Sequence, residues 1–160
     1  MKLVILGAGG YGRTVRDLAE QLGYEVEVLD DNSDKPCSTF AEYGCPVIPA
    51  FGNNEVRIKW CREIIKADCT LPTLIHPTAY VSPKTKIEPG VVILPNAVVN
   101  TGTTVGMGTI INIGALIDHD CIIEEGCHIC LGAIVKGENR IPRCTKIEAG
   151  QIVERGELKL

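Results

Sequence analysis

From Val81 onward every sixth residue is Val or Ile: Val81, Ile87, Ile93, Val99, Val105, Ile111, Ile117, Ile123, Ile129, Val135, Ile141, Ile147 and Val153. Two positions before each stands a mostly small side chain, among them Ala79, Thr85, Val91, Ala97, Thr103, Thr109, Ala115, Cys121, Cys127 and Ala133. Three before, glycine dominates (Gly90, Gly102, Gly108, Gly114, Gly126, Gly132, Gly150), with Asn96 and Asp120 as substitutes. Gly, Asn and Asp are the residues that best tolerate positive φ, so they mark one tight corner per six residues. The β-branched residue suits a short strand facing an interior. A period of six fits neither a helix nor a hairpin array; it fits a solenoid of short strands and corners. Three faces close a triangular coil of eighteen residues, so Val81, Val99, Ile117, Val135 and Val153 stack as one internal column. Ile93, Ile111, Ile129 and Ile147 form another. With coils about 4.8 Å apart, the prism is about 20 Å tall.

Composition narrows what such a chain can do. At 160 residues there is room for one domain or two small ones, and with aromatics at only 4% the core must be aliphatic. A net charge of −4 argues against nucleic acid or an anionic membrane as partner. No apolar run is long enough to span a bilayer, and the opening run at 1–6 is too short for a signal peptide, so a cytoplasmic, soluble protein is expected. The eight cysteines then read as reduced thiols rather than disulfides. Cys127-His128-Ile129-Cys130 is a CxxC, but no second pair follows and the repeat puts Cys127 inside, so no metal is expected.

Ahead of the repeat, residues 2–6 are an apolar run followed by Gly7-Ala8-Gly9-Gly10-Tyr11-Gly12. Val15, Leu18, Ala19 and Leu22 lie at helical spacing, with Gly23 as the stop. Residues 25–29 alternate as a strand and end at Asp30-Asp31-Asn32. Strand, GxGxxG, helix, strand and acid is a nucleotide-binding unit: the glycines let backbone approach a phosphate at the helix amino terminus, and the acid can take a ribose hydroxyl. A full dinucleotide site needs two such halves, and about 75 residues are too few. A second unit follows: a strand over 46–51, a turn and cap at Gly52-Asn53-Asn54, a helix with a core stripe of Val56, Trp60 and Ile64, and a strand over 71–75.

The repeat resembles that of the hexapeptide acyltransferases, whose coils form a left-handed parallel β-helix. One of its corner glycines is replaced by Asp120, in Ile117-Asp118-His119-Asp120. A histidine between two carboxylates suits a general base, because its pKa lies near neutrality and an adjacent acid orients the ring. His128 lies nine residues on, half a coil, so the two side chains leave one prism on roughly opposite sides and could meet only across a subunit boundary. The glycine motif, Leu29-Asp30-Asp31, the 52–57 segment, Leu74-Ile75-His76-Pro77 and the 112–121 segment together are similar to the bacterial sugar acetyltransferases that make bacillosamine, perosamine and O-acetylated sialic acid.

That resemblance implies an α/β, Rossmann-like sugar-nucleotide-binding domain over 1–75 and a β-helix acyltransferase domain over 76–160. It implies transfer of acetyl from acetyl-CoA, without metal, to an amino or hydroxyl group of a sugar, within a homotrimer that binds acetyl-CoA between neighbours. His119 would be the base and Asp120 the acid that raises its basicity. His128, Gly137 and Ala149 would contact acetyl-CoA, and Gly9, Gly10, Tyr11, Asp30, Asp31 and Gly52 the sugar nucleotide. Tyr11 stands where the family usually has His, and Glu148 where it has Gly. The family normally continues for about two further coils and ends in a small-residue segment that helps hold coenzyme A. The alternative expectation is therefore a sugar-nucleotide-binding or regulatory protein without transfer activity.

Overall fold

The computed structural model describes residues 1–157. Strand β1 (Lys2–Leu6) is apolar and buried from its second residue on, and it forms the centre of a three-stranded parallel sheet between β2 (Glu25–Leu29) and β3 (Val47–Pro49). Helix α1 (Gly10–Gln21) buries Val15, Leu18 and Ala19 on this sheet, as its spacing predicts, and Gly23 at φ +84° ends it. Gly12 is where helix and strand touch. A Cβ there would lie 2.0 Å from the Gly7 carbonyl oxygen.

Three expectations for this half need correction. The strand predicted over 46–51 is only Val47–Pro49, and the link between β2 and β3 contains an unforeseen 3-10 helix, Cys37–Tyr43. Helix α2 (Asn54–Lys66) is capped by the Asn53 side chain, which accepts from the Val56 amide at 3.0 Å, but its buried face is Arg57, Ile58, Cys61 and Ile64. Val56 is exposed and Trp60 half-buried, because α2 is covered by the solenoid as well as by the sheet. Leu74–Ile75, read as the last strand of the amino-terminal unit, pairs with Val92–Ile93 and is the first rung of the solenoid.

From Leu74 to Val153 two-residue strands recur every six residues on three parallel faces. The first face stacks the rungs ending in Ile75, Ile93, Ile111, Ile129 and Ile147. The second ends its rungs in Val81, Val99, Ile117, Val135 and Val153, and the third in Ile87, Val105, Ile123 and Ile141. The columns are those of the eighteen-residue coil, and they form one continuous buried cluster. Asn96 and Asp120 adopt positive φ at corners, as expected of them, and so do Glu138 (φ 63°) and Cys144 (φ 54°), whose types do not announce it.

The two halves share a core. Outward-facing Leu74 and Val92, with Leu94 just beyond its rung, join the cluster built on Leu3, Ile5 and α1. Helix α2 lies against two solenoid corners that only glycine can supply: a Cβ on Gly126 would meet Ile58 Cγ1 at 2.4 Å, and one on Gly108 would meet Cys61 Sγ at 2.9 Å. No helix among the described residues is long and apolar enough to cross a membrane.

Candidate active site

Asp118-His119-Asp120 forms the corner between the second and third faces. Asp120 takes the left-handed position (φ 56°) that glycine fills elsewhere, so the turn itself sets a carboxylate beside the imidazole. His119 Nδ1 lies 2.8 Å from Asp120 Oδ2, and His119 Nε2 lies 3.8 Å from Asp118 Oδ2. The Asp120 bond, then the Asp118 charge, raise the His119 pKa above its ordinary 6.5. Asp118 is itself held below the usual carboxylate range by the His119 backbone N–H and by Asn100, whose Nδ2 donates to it at 3.1 Å. With Asp120 as the acceptor, the neutral ring carries its proton on Nδ1, which leaves Nε2 as the free base.

Coils above and below leave room for this arrangement through glycine. One coil down, a Cβ on Gly102 would fall 2.2 Å from Asp120 Oδ1. One coil up, a Cβ on Gly137 would fall 2.7 Å from His119 Nε2. Gly137, expected in the donor groove, is therefore the position that keeps the basic nitrogen open. Thr103 Oγ1 ties the Asp118 carbonyl from inside the prism at 2.9 Å.

His128 occupies a different environment. It is the outward residue of the rung His128–Ile129 on the first face, between Ile110 and Lys146. Burial first, then the Arg57 and Lys146 charges, lower its pKa to about 4. Asn112 Oδ1 accepts the Ile113 amide at 2.8 Å, so its Nδ2 is the group facing His128 Nε2 at 3.0 Å. Nε2 must then accept, and the ring is neutral with its proton on Nδ1. Asn112 belongs to no role read from the sequence. Its signal was register, since Ile110 stacks beneath His128 and carries Asn112 alongside.

Within one chain the expected donor residues do not converge. His128 is on the first face, Gly137 between the second and third, and Ala149 on the exposed corner between the first and second, where Gly150 bonds Leu131 at 3.0 Å. The thiols are poor nucleophiles. Burial raises Cys121 and Cys130 and pushes Cys127 to about 12. Among the described residues all eight cysteines are free, and no three His, Cys, Asp or Glu side chains are arranged to hold a metal ion.

The glycine loop, Asp30, Asp31 and Gly52 gather at the carboxyl ends of the parallel strands, where such sheets bind ligands. Gly9 is the N-cap of α1 with no side-chain cap, which leaves amides of the first turn open. Asp30 is not idle: Oδ2 accepts the Ala8 amide at 2.7 Å and Oδ1 the Asn32 amide at 2.9 Å, and these bonds hold its pKa down. It staples the glycine loop to the end of β2. Asp31 similarly takes the Cys37 amide at 2.8 Å. Tyr11 turns its side chain inward, so in this structure the position offers the nucleotide side its backbone. Its hydroxyl is buried without a partner, and burial raises its pKa.

Known proteins match this chain along most of its length. The PglD N-terminal domain model matches residues 2–64. The acetyltransferase domain of PglB from Neisseria gonorrhoeae superposes with a TM-score of 0.87 at 35% identity, covering 94% of this chain and 81% of that one. The chain belongs to the bacterial sugar acetyltransferase family. The same Neisseria domain in complex with acetyl coenzyme A gives a TM-score of 0.88 at 34% identity, covering 94% of this chain and 80% of that one. A variant of perosamine N-acetyltransferase from Caulobacter crescentus, in complex with CoA and GDP-perosamine, gives 0.86 at 25% identity, over 96% and 89% of the two chains. This member of the acetyltransferase family thus keeps the family's α/β unit and its β-solenoid in one arrangement.

Proposed function

We propose that this acetyltransferase moves the acetyl group of acetyl-CoA to an amino or hydroxyl group of a sugar, most simply a nucleotide-linked one, with His119 as general base. The observation that carries the reading is the His119–Asp120 pair, with a 2.8 Å bond at Nδ1 and an unobstructed Nε2 beneath Gly137. Nε2 takes the proton as the acceptor nitrogen or oxygen attacks the thioester carbonyl carbon. The C–S bond then breaks, and the imidazolium returns the proton to the coenzyme A thiolate. Asp120 stabilises the imidazolium between these steps. A neutral His128, donating from Nδ1, or a backbone amide meets the oxyanion. The buried, protonated thiols favour direct attack over an acyl-enzyme.

The acceptor is assigned to the amino-terminal unit over 1–75, with the backbone around Gly9, Gly10 and Tyr11, the Asp30–Asp31 corner and the Gly52 turn around a phosphate or ribose. Ala149, Gly137 and His128 are assigned to acetyl-CoA, which calls for a second copy because they diverge in one chain. A homotrimer supplies it. The outward residues of the second face are all apolar (Tyr80, Val98, Leu116, Ile134, Ile152), and Tyr80 is 55% and Ile152 48% exposed. A stripe this long next to His119 suits burial against a neighbour in a closed ring. Light scattering should give about three times 17.3 kDa.

His119→Ala should lower kcat by about 10²–10⁴ with acceptor binding nearly intact; full activity would overturn the assignment. The alternative, binding of a sugar nucleotide without transfer, draws on Glu148, an exposed carboxylate beside Ala149 that would face coenzyme A phosphates. Calorimetric titration separates the two. Heat with a UDP-, CMP- or GDP-sugar but none with millimolar acetyl-CoA would select the alternative.

A further inference from the structure

Arg57 is 1% exposed, the largest fully buried side chain among those described. Its Nε donates to Gly108 O at 2.6 Å and its Nη1 to Phe51 O at 2.8 Å and Gly52 O at 3.5 Å. Nη2 donates to Asn54 Oδ1 at 2.8 Å, Gly126 O at 2.9 Å and Cys127 O at 3.1 Å. Every one of these acceptors is a neutral oxygen. The ion pairs on α2 are made instead by Glu55 and Arg62 at its surface, and the groups that act electrostatically on Arg57 are Tyr11, Cys61, Cys144 and Cys127, all uncharged at neutral pH.

Packing alone does not call for this residue. An apolar side chain of similar volume would fill the space but leave the Phe51, Gly108 and Gly126 carbonyls without this donor. A guanidinium can do something no apolar chain can: hold carbonyls from two structural units in one rigid plane. Here the two units are the 51–54 turn at the strand ends and the solenoid backbone at 126–127, whose next residue is His128.

We propose that Arg57 is a positioning residue that locks the Gly52 turn to the Gly126–Cys127 backbone, so that the sugar-nucleotide side and the His128 side respond to ligand as one body. This rests on the reading above that the turn serves the acceptor and His128 the acetyl-CoA. The groups acting on the His128 charge from the elements packed around it are Arg57 on α2, Lys146 on the next rung and Glu148 beyond it.

The first test needs no substitution. Acetyl-CoA alone should slow amide hydrogen exchange at residues 51–54 of the unmodified protein, far along the chain from the donor residues. Unchanged exchange there, with the donor bound, overturns the proposal. Arg57→Met should weaken acetyl-CoA binding about tenfold and move the NMR titration of His128 upward from about 4 toward the ordinary 6.5. Arg57→Lys keeps the charge but not the fork, so it should weaken binding while His128 still titrates low. Lys146→Gln is the converse control: it should raise the titration and leave the exchange response at 51–54 in place. Acetyl-CoA affinity within twofold of the unmodified protein in folded Arg57→Met overturns the proposal, and if that variant does not fold the exchange experiment decides. Absence of any acetyl-CoA binding by the unmodified protein is distinguishable from these outcomes, and it removes both the donor reading and this inference.

Discussion

His119 and His128 stand on the same six-residue repeat, one half-coil apart, and have opposite electrostatic settings. His119 sits on a corner that replaces glycine with aspartate, over a third exposed, with carboxylates on both sides, and its pKa rises. His128 sits on a flat rung just after the Gly126 corner that α2 packs against, half-buried and under the Arg57 and Lys146 charges, and its pKa falls to about 4. A corner presents its side chain to solvent and lets chain neighbours act on it. A rung gives its outward side chain to whatever packs on that face. One solenoid can therefore raise the pKa of one histidine and lower that of another.

The largest change to this contrast, after loss of His119 itself, should come from Gly126→Ala. Its Cβ would be forced to 2.4 Å from Ile58 Cγ1 at φ +69°, lifting α2 from the rung that carries His128. A loss of about 2–4 kcal/mol is expected from overpacking plus left-handed strain. Gly132→Ala, at φ +62° with nothing within 4 Å, should cost only the strain, about 1–2 kcal/mol. Equal melting temperatures for the two variants would show that the docked helix is not what separates the environments.

Gly137→Ala acts on the other histidine. At this ordinary backbone position only the clash with His119 Nε2, at 2.7 Å, is in play. The fold should survive, and kcat should fall by about 10–100-fold because the ring must turn from its productive direction. Unaltered turnover would mean that Nε2 does not do the work assigned to it.

Asp120→Ala brings the two settings closer. As the proposed base, His119 must be deprotonated to act, so activity should rise with pH through its raised pKa. Without the Asp120 bond and charge that pKa falls, and the acid limb of the kcat/KM profile should shift to lower pH while the plateau drops. A limb that stays in place would assign it to another group. The smallest effect should come from Tyr11→Phe. It removes a buried hydroxyl that has no partner in the structure, so stability should rise by about 1 kcal/mol, with sugar-nucleotide affinity unchanged. Weakened nucleotide binding would mean that the phenol turns outward when ligand is present.

Much of this was legible in the sequence where the physics is local or periodic. The hexad announced which residues face inward, and the eighteen-residue coil followed from it. The His119–Asp120 pair was readable because the partners are adjacent and the corner needs a residue that accepts positive φ. The glycine loop is readable for the same reason, although its sequence does not show that Asp30 also staples that loop. Glu138 and Cys144 at positive φ escaped notice because the register, not their residue type, forces the turn.

What the sequence determined by itself is the solenoid, since its repeat ties each residue to one six positions away and one eighteen away. Only the tertiary structure decided how the amino-terminal unit lies on it. The Arg57 acceptors at Gly108, Gly126 and Cys127 are fifty-one to seventy residues distant, and no periodicity links α2 to them. A buried guanidinium reads in sequence as one more charge on a helix. Its setting depends on which face of α2 is covered twice, and that is fixed by two glycine corners and the helix that fits between them.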